Sequence, residues 1–341
     1  MPAPRVVVAV LKFVFFWLFL LLFRALLIIP LSAQTSINDV HVTPRETAPG
    51  LGSTSIQTIN NSMLHVIKTD VKLVLVPVSV TDPMQRFVTG LSQDNFEVFE
   101  DKKPQTIRNF SSEDVPISVG IILDTSGSMT DKMDRVRDAV NQFCDAANPQ
   151  DEFFLISFAD APHVAVDFTT SAEDIKKELV FTRPKGRTSL LDALHLGLAK
   201  MKNARYGKKA LLILSDGGDN HSRYGEREIR SLSKESDVMI YSIGTFDRYV
   251  PTLEEARGPS LLTDLAEPTG GQAFTLDNAN EMPNVARHIG LELRTQYVLA
   301  YRPQGQGHDG KWRKIRVKLK LPRRFTFLQA HARTGYYASV E

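Results

Sequence analysis

The sequence predicts an α/β fold: a Rossmann-like parallel sheet covered by helices on both faces, with a small β unit at each end. Three observations predict it. Apolar runs of strand length alternate with amphipathic helical segments over about 175 residues, an order that yields a parallel sheet. Two of those runs, Ile117–Leu123 and Ala210–Leu214, lead directly into an aspartate or a Ser-Asp pair. Both flanks of this region switch to period-2 alternation, the pattern of half-buried strands.

The elements follow in order. In residues 1–33, Arg5 and Lys12 precede an unbroken apolar run from Phe13 to Phe23, and Arg24 separates it from a second run, Ala25–Leu31. The first run suits the apolar region of a signal peptide, being shorter than the ~20 residues a membrane span needs. Leu31-Ser32-Ala33 is a mediocre cleavage site, so residues 1–33 are read either as a cleaved signal peptide or as a signal anchor that keeps residues 6–31 in the inner membrane. Both readings put the body outside the cytoplasm, whether periplasmic, secreted or at the cell surface. Residues 34–69 are rich in Asn, Ser, Thr, Pro and Gly and read as a flexible spacer.

Residues 70–112 read as the N-terminal β unit, with strands over Val71–Ser79, Phe96–Lys102 and Gln105–Phe110. The α/β domain is expected over residues 113–292. After the strand Ile117–Leu123, Met133, Val136, Val140, Phe143, Cys144 and Ala147 share one helix face, so Cys144 is expected to be a buried, inert thiol. Phe153–Phe158 reads as a strand and Val164–Phe168 as an edge strand. A helix starts after Ser171 as N-cap with Asp174 as its acidic partner, and another spans Ser189–Lys202. Ala210–Leu214 and Val238–Ile243 read as strands, and Leu261–Ala266 and Val285–Leu293 as helical. Residues 293–341 read as the C-terminal β unit: Ile315, Val317, Leu319 and Leu321 alternate with Lys314, Arg316, Lys318 and Lys320. The two β flanks are expected to pack on one another, with the α/β domain inserted between them.

Composition removes several classes. The single cysteine excludes an intrachain disulfide framework and a cysteine-rich zinc site. The net charge of +2 argues against a nucleic-acid partner. No two histidines lie three or four residues apart, so a helix-borne histidine pair for a metal is absent. No phosphate-binding loop, nucleotide-binding glycine fingerprint or zinc-protease helix occurs, and Ser231-Leu232-Ser233-Lys234 has no partner motif for acyl transfer. Residues 311–333 carry nine Lys or Arg and no acid. They read as a solvated strand face, with contact to an anionic surface as the alternative.

The strongest local chemistry is Asp124-x-Ser126-x-Ser128. Spacing alone reads as a turn or helix cap as readily as a ligand set. Its place in the fold adds weight, because ligands of open parallel sheets bind beyond the carboxyl ends of the strands, and a second strand delivers Asp216 to the same rim. One carboxylate and two hydroxyls are hard oxygen donors, which select Mg²⁺, Mn²⁺ or Ca²⁺ over zinc and copper. Asp219 and His221 follow closely enough to line the rim, and Asp160 and His163 sit near it as weaker candidates.

With Leu123-Asp124-Thr125-Ser126-Gly127-Ser128-Met129, Gly186-Arg187-Thr188-Ser189-Leu190 and Leu214-Ser215-Asp216-Gly217 in this order, residues 115–290 resemble the von Willebrand factor A-type domain. That resemblance implies a metal-ion-dependent adhesion site in which Asp124, Ser126, Ser128, Thr188 and Asp216 hold the ion, Asp216 acting through water. Asp94–Asp101, Arg294–Tyr301 and Gly335-Tyr336-Tyr337 extend the resemblance, over roughly residues 70–338, to the VWFA-related family described from acidobacterial proteins, which implies an exported bacterial protein. The expectation is therefore a non-enzymatic binding module whose Mg²⁺, Mn²⁺ or Ca²⁺ accepts a Glu or Asp from a partner protein. The alternatives are a structural envelope component and a metal-assisted hydrolase; against the latter, the matching loops show no His or Glu base.

Overall fold

The computed structural model describes residues 73–338 apart from 217, 247–252, 305–308, 323–324 and 326. The expected export segment and spacer, residues 1–69, lie outside the described residues. Among the described residues no helix is long and apolar enough to cross a membrane.

The central sheet contains β5 (Ser118–Asp124), β6 (Glu152–Phe158), β7 (Pro162–Thr169), β8 (Lys209–Ser215), β9 (Met239–Thr245) and β10 (Ala273–Leu276). Its strand order is β10-β9-β8-β5-β6-β7. All neighbours are parallel except the edge strand β7, which runs antiparallel to β6. Every residue of β5, β6 and β9 is buried, as a sheet covered on both faces requires.

One face packs against α1 (Met133–Ala146) and α6 (Met282–Thr295), the other against α3 (Leu190–Lys200) and α5 (Leu253–Ala266). Helices α2 (Ala172–Phe181) and α4 (Glu226–Glu235) complete the layers. Val136, Val140 and Phe143 of α1 meet Ile121 and Leu123 of β5 in the first core, while Leu194 and Leu198 of α3 meet Ile122 and Phe154 in the second. Cys144 lies in the first core, and burial pushes its thiol up to about 12, which leaves it inert at neutral pH. Ser171 precedes α2, but its side chain makes no capping bond; Thr169 Oγ1 donates to Asp174 Oδ2 instead.

The two terminal β regions are not separate units. Their strands are β1 (Val74–Thr81), β2 (Phe96–Glu100), β3 (Lys103–Gln105), β4 (Ile107–Ser111), β11 (Tyr297–Tyr301), β12 (Trp312–Leu319), β13 (Gln329–Ala332) and β14 (Gly335–Tyr337). They form two four-stranded sheets, β13-β1-β11-β4 and β14-β12-β2-β3, each mixing strands from before and after the α/β domain. Val76, Val78, Val98, Leu299, Tyr301 and Ile315 fill the core they share. The physical reason is burial: a few strands alone cannot cover an apolar face, whereas two sheets cover each other.

A buried polar network ties this sandwich to the α/β domain. Ser79 Oγ on β1 and the Tyr241 hydroxyl on β9 donate to Glu292 Oε1 of α6 at 2.6 Å and 3.0 Å. Gln296 Nε2 donates to both hydroxyls. Burial raises the Glu292 pKa above the usual carboxylate value. Glu292→Ala strips two buried donors of their acceptor and is expected to cost about 3 kcal/mol. Glu292→Gln keeps an acceptor oxygen and is expected to stay within about 1 kcal/mol of the parent. Denaturant melts of the two variants check this, and equal losses would show that the network contributes nothing specific.

Candidate metal centre

Strand register brings the first two loops together. Leu123 pairs with Leu214 in the parallel β5–β8 ladder, which sets Asp124 beside Ser215 at the carboxyl ends of neighbouring strands. Ser215 Oγ donates to Asp124 Oδ2 at 2.6 Å, and the Ser126 N–H donates to Asp124 Oδ1 at 2.9 Å. Asp124 is fully buried. Beyond it the chain turns through Ser126, the N-cap of a 3-10 turn over Gly127–Lys132, and the Ser126 and Ser128 hydroxyls converge at 3.1 Å.

The threonine loop is bound to both neighbours. Gly127 N donates to Gly186 O and Lys185 N to Thr125 O, stitching it to the first loop. Asn220 N and His221 N both donate to Thr188 O, and Thr188 N donates to Asn220 Oδ1. Gly186 adopts φ +99°, a left-handed conformation, where a Cβ would lie 2.8 Å from Asp160 Oδ2. That carboxylate accepts the Arg187 N–H at 2.9 Å, so Asp160 shapes the threonine loop.

Asp124 and Asp216 are close enough for their charges to interact. Burial, and then repulsion from Asp216, push Asp124 up to about 7. Asp216 is 2% exposed, and Lys132 Nζ approaches its Oδ2 to 3.4 Å. Two buried carboxylates, two converging serine hydroxyls and a buried threonine thus share one end of the sheet. The Asp216 charge opposes ionisation of Asp124, and oxygen donors of this kind suit a hard divalent ion. Among the described residues no group of three or more His, Cys, Asp or Glu side chains gathers in metal-binding geometry.

The residues near the rim have contacts of their own. Asp219 Oδ2 accepts Leu191 N–H and Ser222 Oγ–H, and its Oδ1 accepts Ser222 N–H, so it anchors the start of α3. His221 Nδ1 meets Arg187 Nη1 at 3.4 Å on the exposed side. His163 lies within β7 rather than in a loop. Sequence reasoning passes over Ser215, Asn220 and Lys132. Ser215 is recoverable from the strand register; the other two carry no local signal.

A family model for the von Willebrand factor type A domain matches residues 119–218, a span containing Asp124, Ser126, Ser128, Thr188 and Asp216. An uncharacterized protein of Borreliella burgdorferi is 23% identical over 182 residues, covering 46% of this chain and 53% of that relative, so the chain spans about half the length of the curated relative it matches. Among solved structures, a von Willebrand factor type A protein from Catenulispora acidiphila aligns with TM-score 0.48 at 12% identity, covering 80% of this chain and 75% of that one. Proximal thread matrix protein 1 from the mussel byssus, with a zinc-occupied MIDAS motif, aligns with TM-score 0.44 at 20% identity, covering 57% and 49%. Residues 119–218 of the α/β domain thus match the von Willebrand factor type A domain, and that domain is carried together with a β-sandwich built from both flanks.

Proposed function

We propose that this chain is an exported, divalent-metal-dependent binding module, with Asp124, Ser126, Ser128, Thr188 and Asp216 holding Mg²⁺, Mn²⁺ or Ca²⁺. The observation that carries the reading is the stitching of three loops around two mutually repelling buried carboxylates. The type A domain match over these positions supports it.

Each residue then has a part. Ser215 and the Ser126 amide fix both oxygens of Asp124, which leaves its remaining lone pairs for an ion. Ser126, Ser128 and Thr188 supply neutral oxygens, so few negative charges face the cation. Asp216 would add the second negative charge. A divalent ion held by these residues would supply Lewis acidity, and the group it would accept is a Glu or Asp of a partner protein. The apolar run in residues 13–23 supports export, with residues 6–31 as either a cleaved signal or an anchor.

A pull-down from an envelope extract with the full chain as bait tests the reading. Capture in Mg²⁺ that is lost in EDTA, and lost with Thr188→Ala, is expected. Capture that is equal in Mg²⁺ and EDTA would overturn the metal bridge.

A further inference from the structure

At the opposite end of the central sheet from Asp124, the described residues line an open cleft of about 680 Å³ between the α/β domain and the sandwich. That volume lies within the range of small-molecule sites, roughly 300–1,000 Å³. Part of its wall on the sandwich side is an apolar strip. Alternate residues of β1 point away from the sandwich core, so Leu75 is 47% exposed and, just before the strand, Leu73 is 38% exposed. Pro77 and its cross-strand partner Val298 continue that strip. Soluble proteins rarely leave leucines open along a concave wall without something to cover them.

The rest of the lining is basic. Six Lys or Arg side chains line the cavity against three acids, Glu100, Glu235 and Asp237. Two of the acids are engaged: Glu100 Oε2 accepts the Tyr301 and Tyr336 hydroxyls, and Asp237 pairs with Arg333. Arg108 and Arg302 have no ion-pair partner among the described residues. Both line the cavity from the same end of the β4–β11 ladder, where Ile107, next to Arg108, pairs with Tyr301, next to Arg302. Lys208 donates to the Leu293 carbonyl and forms no ion pair among the described residues. Burial pulls its ammonium down to about 8, although Asp114, Asp151 and Glu292 act in the opposite direction. A desolvated cation and two unpaired guanidiniums beside an exposed leucine strip form a site with a charged end and a greasy wall.

We infer that this cavity binds a single-chain anionic amphiphile of the fatty-acid type, its carboxylate at Arg108, Arg302 and Lys208 and its alkyl chain along Leu73, Leu75, Pro77 and Val298. The site is separate from the one at the carboxyl ends of the strands, and the inference does not depend on that reading.

Calorimetric titration of the full chain with laurate, kept below its micelle concentration, tests it. One saturable site per chain is expected, with Kd weakening about fourfold for each methylene removed from the acid. Arg108→Ala with Arg302→Ala, both on exposed side chains, is expected to weaken laurate at least tenfold, and Leu75→Ser to weaken it severalfold. Dodecanol, which keeps the chain but lacks the charge, is expected to bind at least tenfold more weakly. EDTA and Asp124→Asn are expected to leave laurate binding unchanged. Absence of saturable binding, equal affinity for laurate and dodecanol, or indifference to the arginine and Leu75 substitutions would each overturn the inference.

Discussion

Asp124→Asn is expected to abolish divalent-ion uptake, weakening it at least a hundredfold while leaving the fold intact. The amide is isosteric and keeps an oxygen to accept the Ser126 N–H, so the first loop retains its shape. What disappears is one full negative charge in a water-poor site, where Coulomb interactions with a divalent ion are strongest. The ion-free variant should melt no lower than the parent at pH 8, because the parent there buries a carboxylate that burial and Asp216 both disfavour. Loss of uptake together with loss of structure would instead make Asp124 a folding residue.

The same carboxylate sets a pH dependence. In the ion-free chain Asp124 titrates near 7 rather than at its ordinary value of 3.8. Its folded pKa lies above the unfolded one, so its contribution to stability is greatest below about pH 4 and is lost as pH rises through 7. Ion uptake needs the ionised form. Apparent affinity should therefore fall about tenfold per pH unit below 7 and level off above it, with up to one proton released per ion bound. Calorimetry in buffers of different ionisation enthalpy reads that proton directly, and a flat affinity between pH 5 and 8 would contradict it.

Lys132→Met is expected to strengthen ion binding by about tenfold, the effect of removing a unit charge a few ångströms from a divalent cation in a partly screened site. Lys132 Nζ lies 3.4 Å from Asp216 Oδ2 and its side chain is 25% exposed, so it neutralises that carboxylate while no ion is bound. A cation entering the site competes with the ammonium for Asp216. Methionine keeps the apolar stem and removes only the competitor. Titration of the variant against the parent with Mn²⁺ checks it. Affinity that is unchanged or weaker would mean that Lys132 swings clear and takes no part in the competition.

Much of the α/β core is legible in the sequence because its signals are local. Largely apolar strands such as Glu152–Phe158 and the helix stripe of Val136, Val140 and Phe143 are written in local sequence, and Asp124 and Asp216 stand out because one closes its strand and the other directly follows its own. Helix α4 escapes notice because its buried positions are only Ile229 and Ser233, too few for an apolar stripe. Strand β10 is four residues long and resembles a loop. Pairings such as Val76 with Leu299 join residues over two hundred positions apart, and no local pattern specifies a partner at that range. In the metal centre the donor residues are legible, whereas Ser215, Asn220 and Lys132 act through contacts made only when three distant loops meet.

The most direct measurement is a calorimetric titration of the full chain with Mg²⁺, Mn²⁺ and Ca²⁺ at pH 8, beside Asp124→Asn. One ion per chain in the parent and none in the variant is the predicted result. An absence of uptake of all three ions by the folded parent would contradict the account.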